Sequence, residues 1–423
     1  MCIFSLKSLQ INNISNLKGK IMKTLTKKSV SRRNFLTGTA TIAGLAAASS
    51  ALPISVANAN HTETTDKLPD FIKWKKRSAL IVHSTKTMET HRTEIGSSVI
   101  TPIRHIYIRN NLPSLTDEQI GNRKDWKVSV AGVKNPKTFT LAELQTLGQT
   151  TIATVLQCSG NGRGWFPHKP RGSQWQTGAA ACVLWTGVPV ETVIKACGGL
   201  AKGAKYMTST GGDAPKNLDP KKATMERSIP LKAHKDAILA WEMNGVDIPN
   251  AHGGPVRSVT PGYFGVNNVK HLIKLDFTAK ESSVKYMKSS YRISPLGKKG
   301  SQYPSCWEMP VKSWVTSPSQ DGKVKSGKVV ISGVAFGGTK KLSNVKVSLD
   351  FGKTWKKAKL VGPDLGQFAW RQFVYETTLK PGFYNVATKA SAGGKSQPEL
   401  RMDNRRGYAH NGWKDHSISL DVV

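Results

Sequence analysis

The segment VLQCSGNGRGWF, residues 155–166, decides how this sequence is interpreted. An apolar run leads directly into Cys158, and Gly160, Gly162 and Gly164 follow it at every second position. Glycine lets the backbone approach a neighbouring group closely because it has no Cβ. Successive backbone N–H groups in such loops form concavities that bind anions. The pattern therefore predicts a cysteine that meets a large anionic ligand, with a buried structural thiol as the alternative.

The composition is strongly basic. The 423 residues contain 62 lysines and arginines against 27 acidic residues, a formal charge of +35. Residues 1–59 contain eight of the basic residues and no acidic one, so about +27 remains in the rest of the chain. Such a charge favours anionic substrates and acidic partners. Outside enzymes, it leaves open a basic polyanion-binding protein, although no nucleic-acid-binding motif accompanies the charge and we expect no nucleic-acid partner.

The first 59 residues are typical of an export signal. SRRNFLTG, residues 31–38, carries twin arginines, an Ala- and Ser-rich apolar run follows, and Ala57–Ala59 offers a small-residue cleavage site. We expect a twin-arginine signal peptide and a periplasmic mature protein, with translation starting at Met1 or Met22. A membrane anchor is the alternative, but the apolar run is short for a transmembrane helix, and we expect no membrane span in the mature form.

The cysteines do not form a disulfide or haem-attachment pattern. The sequence has five, with no C-x-x-C and no C-x-x-C-H spacing, so we expect no haem in this chain. Cys197 follows an apolar helical repeat and Cys182 lies in an apolar run, which predicts that both are core residues. Cys306 lies in a segment with the character of a linker. Cys158 is the remaining thiol with a distinctive environment.

The hydrophobic pattern changes near residue 305. Residues 60–79 are polar and irregular, which predicts a tether. Residues 80–304 mix strands and helices without a fixed period, including a capping box at Thr140 and Glu143, and this favours an α+β domain. Residues 305–423 contain short alternating runs, which predict an immunoglobulin-like β-sandwich. In one run, residues 345, 347 and 349 are expected to face inward, and Lys346, Ser348 and Asp350 outward.

Several motifs resemble, in order, those of the sulfite oxidase family of molybdenum enzymes. The resemblance spans roughly residues 80–423 and begins with the cysteine loop around Cys158. The other matching segments are IYIRNN (106–111), GGDAP (211–215), the block from SIPL to NNVKHL (228–272), SSYRI (289–293) and FAWRQF (368–373). The resemblance implies a sulfite-oxidase-type molybdopterin domain at residues 80–304 and a dimerisation sandwich at residues 305–423.

The resemblance also implies a molybdenum–molybdopterin cofactor, with Cys158 as the metal ligand. A thiolate suits molybdenum as a sulfur donor. The implied cofactor-binding residues are Arg109, Asn111, Cys158, Asp213, His252, Arg257, Asn268 and Lys270. The implied catalytic and substrate-binding residues are Arg109, Arg163, Tyr291 and Arg371. The sequence departs from the family at Asn111, where animal members carry His, at Ser159, where they carry Ala, and at Gly162, where many carry Arg.

The activity implied by the resemblance is oxidation of sulfite to sulfate. Electrons would leave to an external c-type cytochrome, and the chain would form a homodimer. Two related enzymes are alternatives: the sulfur dehydrogenase subunit of a thiosulfate-oxidising complex, and a periplasmic methionine sulfoxide reductase. The second resembles only the N-terminal domain, so the predicted sandwich argues against it.

Overall fold

A computed structural model describes residues 67–215 and 217–423. The predicted signal peptide, with its twin arginines, cleavage site and candidate start at Met22, lies outside the described residues, as do residues 60–66 of the predicted tether. The described residues form one compact unit. None of the helices in the described part is long and apolar enough to cross a bilayer.

The part of the described chain before residue 305 combines many strands with short helices, as the α+β prediction requires. Its strands are β1 Leu80–Ser84, β2 Thr87–Thr90, β3 Ile108–Arg109, β4 Lys127–Ala131, β5 Lys137–Thr140, β6 Thr150–Gln157, β7 Ala180–Pro189, β8 Tyr206–Gly211, β9 Glu226–Pro230, β10 Ile238–Met243, β11 Val246–Asp247, β12 Arg257–Val259 and β13 Leu272–Thr278. Its α-helices are α1 Asp117–Ile120, α2 Leu141–Thr146, α3 Val190–Ala196, α4 Pro220–Ala223 and α5 Lys285–Lys288.

Local sequence signals explain the two longest of these helices. Helix α2 begins at the predicted capping box: the Thr140 hydroxyl accepts from the Glu143 N–H at 3.1 Å, and the Glu143 carboxylate accepts from the Thr140 N–H at 2.7 Å. Helix α3 buries Val190, Val193 and Ile194 against the core, and Cys197 is fully buried just after it. The core assignment of Cys197 is therefore confirmed.

Three sheets organise this region. Strands β1, β2 and β3 form the first, β11-β10-β7-β6 with β12 on β10 form the second, and β5-β4-β13-β8-β9 form the third. Pairing is antiparallel except between β4 and β13. The second sheet is the one that positions the cysteine loop, because β6 ends at Gln157, immediately before Cys158. Residues following β8 and preceding β13 approach the same point from the third sheet.

The C-terminal region is the expected immunoglobulin-like sandwich. Its strands are β14 Lys312–Ser317, β15 Gly322–Val324, β16 Gly327–Phe336, β17 Leu342–Ser348, β18 Lys356–Lys357, β19 Lys359–Val361, β20 Arg371–Leu379, β21 Gly382–Ala392, β22 Lys395–Ser396 and β23 Ile418–Val422. One sheet has the order β14-β16-β20-β19, and the other has β15-β23-β21-β17-β18 with β22 on β21. An apolar core from both inner faces fills the space between the sheets.

The alternating pattern of β17 is confirmed at Val345, Lys346 and Val347 and wrong at Ser348. Val345 and Val347 are buried and Lys346 is exposed, as expected. Ser348 is also buried, although we placed it on the outer face. Its hydroxyl donates a hydrogen bond to the Asp350 carboxylate at 2.7 Å, and that carboxylate also accepts a hydrogen bond from the Thr354 N–H at 2.9 Å. The turn thus draws the end of the strand inward, which a strict period of two does not predict.

The C-terminal sandwich packs directly on β6, the strand that ends immediately before Cys158. The Val155 N–H of β6 donates to the Phe368 carbonyl at 2.9 Å, and the Trp370 indole donates to the Val99 carbonyl at 2.7 Å. A buried cluster continues this contact and includes Phe264, Tyr291, Trp314 and Trp370. The position of the cysteine loop therefore depends on both regions of the chain.

Two expectations about flanking segments need correction. The described part of the predicted tether, residues 67–79, is not a loose linker: a 3₁₀ turn at Asp70–Ile72 buries Ile72 completely, and Lys75 is also buried. Cys306 is not in a linker either, because its side chain is fully buried in the cluster between the two regions. The sequence pattern does not predict either packing interaction, because both segments are short and rich in polar residues.

Candidate active site

A cleft that is partly open to solvent lies at the end of β6. The structure brings nine of the eleven predicted site residues to its lining, namely Arg109, Asn111, Cys158, Asp213, His252, Arg257, Asn268, Lys270 and Tyr291. The structure does not bring Arg163 or Arg371 to this lining. Sequence reasoning missed four polar or flexible lining residues: Tyr107, Asn110, Ser159 and Met225.

Cys158 presents its thiol at the first position after β6. Its N–H donates to the Ala179 carbonyl at 2.9 Å, and its Sγ accepts from the Gly160 N–H at 3.4 Å. Of the described cysteines, Cys158 alone is half-buried and lines the cleft. Burial raises the pKa of the Cys182 and Cys306 thiols to about 12, so those thiols are inert by comparison.

The three loop glycines have a different role from the one we expected. They do not line the cleft; each allows a close contact behind it. A Cβ on Gly160 would lie 2.4 Å from the Arg163 guanidinium, and one on Gly162 would lie 2.6 Å from the His410 ring. Gly162 also has a φ of +100°. The glycines therefore shape the loop by packing against protein rather than by approaching a ligand.

Two cations, the half-buried Lys270 and the buried Arg257, line one part of the cleft and form its cation wall. The Lys270 ammonium donates to Asn110 Oδ1 at 2.5 Å and to the Ala251 carbonyl at 2.6 Å. The Arg257 guanidinium donates to the His252 carbonyl at 2.8 Å and lies over the Trp185 ring. Neutral carbonyl and amide oxygens fix the orientation of these cations but do not cancel their charge.

The electrostatics of this wall favour an anionic ligand. Burial, reinforced by the charge of Arg257, lowers the pKa of Lys270 well below its ordinary value. Burial lowers the pKa of Arg257 to about 10, and burial together with neighbouring lysines lowers the pKa of His252. Buried cations whose neighbours are cations are costly unless an anion compensates them. An anion bound here would relieve that cost.

Asp213 forms the acidic part of the cleft. Burial raises the pKa of its carboxyl group to about 6, and its Oδ1 is buried without a hydrogen-bond partner among the described residues. Asn110 Nδ2 and Ser159 Oγ, on other parts of the lining, are likewise buried without a partner there. Unpartnered buried polar atoms are rare in native proteins. Three of them around one cleft indicate a polar ligand with both donors and acceptors.

Tyr291 also lines the cleft and is linked to Arg109 through Asn111. The side-chain amide of Asn111 donates to the Tyr291 hydroxyl oxygen at 2.7 Å, and the Arg109 guanidinium donates to Asn111 Oδ1 at 2.5 Å. The Tyr291 ring stacks on Tyr408 with centroids 5.4 Å apart. Asn111 thus orients Arg109 and Tyr291, the two expected substrate-binding residues that line the cleft, and its own amide does not titrate.

Arg163 and Arg371 are held elsewhere, contrary to expectation. The Arg163 guanidinium donates to the Arg406 carbonyl at 2.9 Å and lies over the Tyr408 ring, behind the cleft. Arg371, at the start of β20, pairs with the Asp364 carboxylate at 3.2 Å. Both guanidinium groups are held by protein groups that the sequence motif did not reveal.

The donor set fits a molybdenum–pterin cofactor. A half-buried thiol can supply the protein's sulfur ligand, and the cation wall can hold a phosphate. The unpartnered Asp213 Oδ1 can accept a hydrogen bond from a pterin N–H.

Comparison with known proteins agrees with this fit. Residues 115–286 match the family described as the oxidoreductase molybdopterin binding domain, and residues 303–421 match the Mo-co oxidoreductase dimerisation domain. The fold and the site therefore define a molybdopterin oxidoreductase chain. More narrowly, the chain belongs to the sulfite oxidase family.

Individual relatives show the extent of the similarity. Mitochondrial sulfite oxidase of Macaca fascicularis is 31% identical over 352 residues, which cover 78% of this chain and 63% of that protein. Sulfite oxidase of Arabidopsis thaliana is 28% identical, covering 78% of this chain and 91% of that protein. The sulfane dehydrogenase SoxCD from Paracoccus pantotrophus superposes with a TM-score of 0.68 at 25% identity, covering 81% of this chain and 89% of that chain. The alignment thus spans somewhat under two thirds of the mitochondrial enzyme.

Proposed function

We propose that this chain oxidises sulfite to sulfate at a molybdenum centre held by molybdopterin. The observation that carries the proposal is the meeting of Cys158 with the cations Arg109, Arg257 and Lys270 around one cleft. When bound, the cofactor would supply oxygen-atom transfer and accept two electrons. The names of the relatives support sulfite as the substrate.

The chain's own residues would bind and orient the two anions. Cys158 would be the protein ligand of the metal. Lys270 and Arg257 would hold the cofactor phosphate through charge-assisted hydrogen bonds, and Asp213 would accept from the pterin. Arg109 would attract the substrate anion, and Tyr291, whose oxygen already accepts from Asn111, keeps its own proton to donate to that anion.

The cellular setting is part of the same proposal. We propose a periplasmic enzyme exported by the twin-arginine pathway that transfers electrons to a separate c-type cytochrome. The sequence contains no C-x-x-C-H haem-attachment motif, which supports an acceptor on a separate protein. The match to a dimerisation domain at residues 303–421 supports a homodimer.

The test is a steady-state assay with sulfite and cytochrome c or ferricyanide. We expect the parent enzyme to turn over and the Cys158→Ala variant to fall by at least about 100-fold, because the metal loses its protein ligand. Cys306→Ala, which alters a buried thiol outside the cleft lining, is the matched control and should keep its molybdenum. Equal turnover by the parent and Cys158→Ala would contradict the proposal. Molybdenum far below one atom per chain in the parent would instead favour a polyanion-binding protein.

One alternative has a specific observation in its favour. The superposition on the sulfane dehydrogenase SoxCD covers 89% of that chain, so a protein-bound sulfane sulfur is a second candidate substrate. Comparing kcat/KM for free sulfite and for a persulfide carried on a protein cysteine separates the two. A preference of more than about tenfold for the carrier-bound sulfur would assign the alternative.

A further inference from the structure

Lys75 is a buried cation that the sequence motifs did not identify. It lies before both family-matched regions, within the segment that the pattern presented as a tether. Its side chain is 5% exposed, and its ammonium donates to the carbonyls of Ile103 at 2.7 Å and Ile106 at 2.6 Å. The third polar contact is His252 Nε2, at 2.7 Å.

These contacts define the hydrogen bonding of His252. An ammonium group has three N–H donors and no acceptor. In its ammonium form, Lys75 commits two N–H donors to carbonyl oxygens and directs the third to His252 Nε2. Burial lowers the pKa of Lys75, and the charge of a bound anion would favour the ammonium form. A ring nitrogen that accepts a hydrogen bond carries no proton, and the neutral ring must then carry its proton on Nδ1. Trp74, adjacent in sequence, contacts the same ring edge-on at 6.0 Å.

We propose that Lys75 is a positioning residue that fixes the His252 tautomer, so that His252 offers Nδ1–H to an anionic group bound in the cleft. The proposal rests on the proposed function in taking that group to be the phosphate ester of a pterin cofactor. Lys75 does not line the cleft and acts through His252, which does. A bound anion also favours the ammonium form of Lys75, so the ligand and the tautomer stabilise each other.

The arrangement resembles the way proteins orient metal-binding histidines from behind. A partner on one ring nitrogen sets which atom faces the ligand, and removing such a partner typically weakens binding roughly 10–100-fold. The same consequence is expected here for retention of an anionic cofactor. Lys75 has no carboxylate partner within the described part of the chain, so burial of its ammonium group is costly.

The first experiment measures cofactor retention rather than turnover. Purified Lys75→Met, Lys73→Met and parent proteins are dialysed, and the pterin remaining is measured by fluorescence after oxidative release. Lys73 is exposed in the same segment and is the matched control. We expect Lys75→Met to lose pterin at least about tenfold faster than the parent and the control. Retention equal to the parent would overturn the inference, whereas a parent that holds no pterin would overturn the proposed function.

A double-mutant cycle tests whether Lys75 acts through His252. In a His252→Gln background, Lys75→Met should change the pterin loss rate by less than about twofold, because the group being positioned is absent. Independent, multiplicative effects would refute the positioning role. A second readout is made on the parent itself: ¹⁵N spectra of histidine-labelled, cofactor-loaded parent should show Nδ1 of His252 protonated and Nε2 unprotonated, with the His252→Gln variant used only to assign the signals. The opposite tautomer would also refute the inference.

Discussion

Asn111 and Tyr291 are separated by 180 positions in the sequence, yet the Asn111 amide donates a 2.7 Å hydrogen bond to the Tyr291 hydroxyl oxygen. Because that oxygen accepts from Asn111, the Tyr291 proton is free to point into the cleft. Residue 111 is a neutral amide, which does not titrate. Because Asn111 does not change its charge with pH, the Tyr291 hydroxyl can donate a hydrogen bond without depending on the protonation of residue 111.

This arrangement makes Tyr291→Phe an informative variant. A hydrogen bond to a charged group contributes about 1.5–3 kcal/mol, which corresponds to roughly 10–150-fold in kcat/KM. We expect a loss of that size for sulfite oxidation, while the stacking on Tyr408 keeps the ring in place and the melting temperature changes little. Tyr206→Phe, which removes a hydroxyl outside the cleft lining, should leave kcat/KM within twofold of the parent. An unchanged kcat/KM in Tyr291→Phe would remove the tyrosine from the substrate site.

Arg371 gives a prediction in the opposite direction. Its guanidinium is paired with Asp364 and donates to the Gly362 carbonyl at 3.2 Å, and it does not line the cleft. We expect Arg371→Gln to leave the KM for sulfite within about twofold, because ion pairs near the surface contribute only about 0–1 kcal/mol and this one is remote from the lining. Arg109→Gln, in contrast, should raise KM at least tenfold. Equal effects in steady-state assays would show that the guanidinium of Arg371 reaches the substrate after all.

Asp213 predicts a pH-dependent stability of the cofactor-free protein. Burial raises the pKa of the folded-state carboxyl from 3.8 to about 6. A raised carboxyl pKa means that the folded state binds the proton more tightly, so this contribution to stability is present at low pH and is lost as the pH rises through about 6. The Asp213→Asn substitution removes the free-energy cost of ionising this buried carboxyl group. Relative to the parent, the variant should gain about 2 kcal/mol of unfolding free energy between pH 4.5 and pH 7.5.

The measurement is urea unfolding at both pH values, on protein made in a host that cannot synthesise molybdopterin. Asp247→Asn changes a largely exposed carboxylate and is the control. The same Asp213→Asn substitution should weaken pterin retention in loaded protein, because a neutral amide accepts a pterin N–H less strongly. A variant that is no more stable than the parent at pH 7.5 would show that Asp213 is not held in a penalised state.

The sequence was sufficient where the determining interaction is local. The Thr140 and Glu143 capping box lies within one helical turn, and the apolar spacing around Cys197 lies within two. The convergence of His252, Arg257 and Lys270 on Cys158 was predicted only because their order resembles that of a family. Spacing alone does not determine which loops meet.

The errors share a different cause, which is dependence on a distant partner. Arg371 is kept from the cleft by Asp364, and Lys75 is buried because two carbonyls from residues 103–106 and one imidazole receive its ammonium. The sequence pattern does not identify the partners of Arg371 or those of Lys75. The glycines after Cys158 were correctly singled out, but their neighbours Arg163 and His410 became visible only in three dimensions. From the sequence alone, a packing role for these glycines could not be distinguished from a role in ligand binding.

Gly162 provides the test of that packing role. It has a φ of +100°, and an added Cβ would lie 2.6 Å from the His410 ring. Gly148 has a similar φ of +110°, but no atom lies within 4 Å of its added Cβ. The pair separates backbone strain from steric overlap. Alanine at either position should cost about 1–2 kcal/mol through the left-handed backbone, and only Gly162→Ala should add about 1–3 kcal/mol of overpacking.

The two glycines should also differ in their effect on the site. The overlap at Gly162 can be relieved only by moving His410 or the loop, and that loop begins at Cys158. We therefore expect Gly162→Ala to lower both the free energy of unfolding and the molybdenum content, and Gly148→Ala to lower stability alone. Urea unfolding and metal analysis of the two purified variants measure both quantities. Equal destabilisation with full molybdenum in both would mean that the loop tolerates a side chain behind it, and that packing against His410 does not hold the thiol in place.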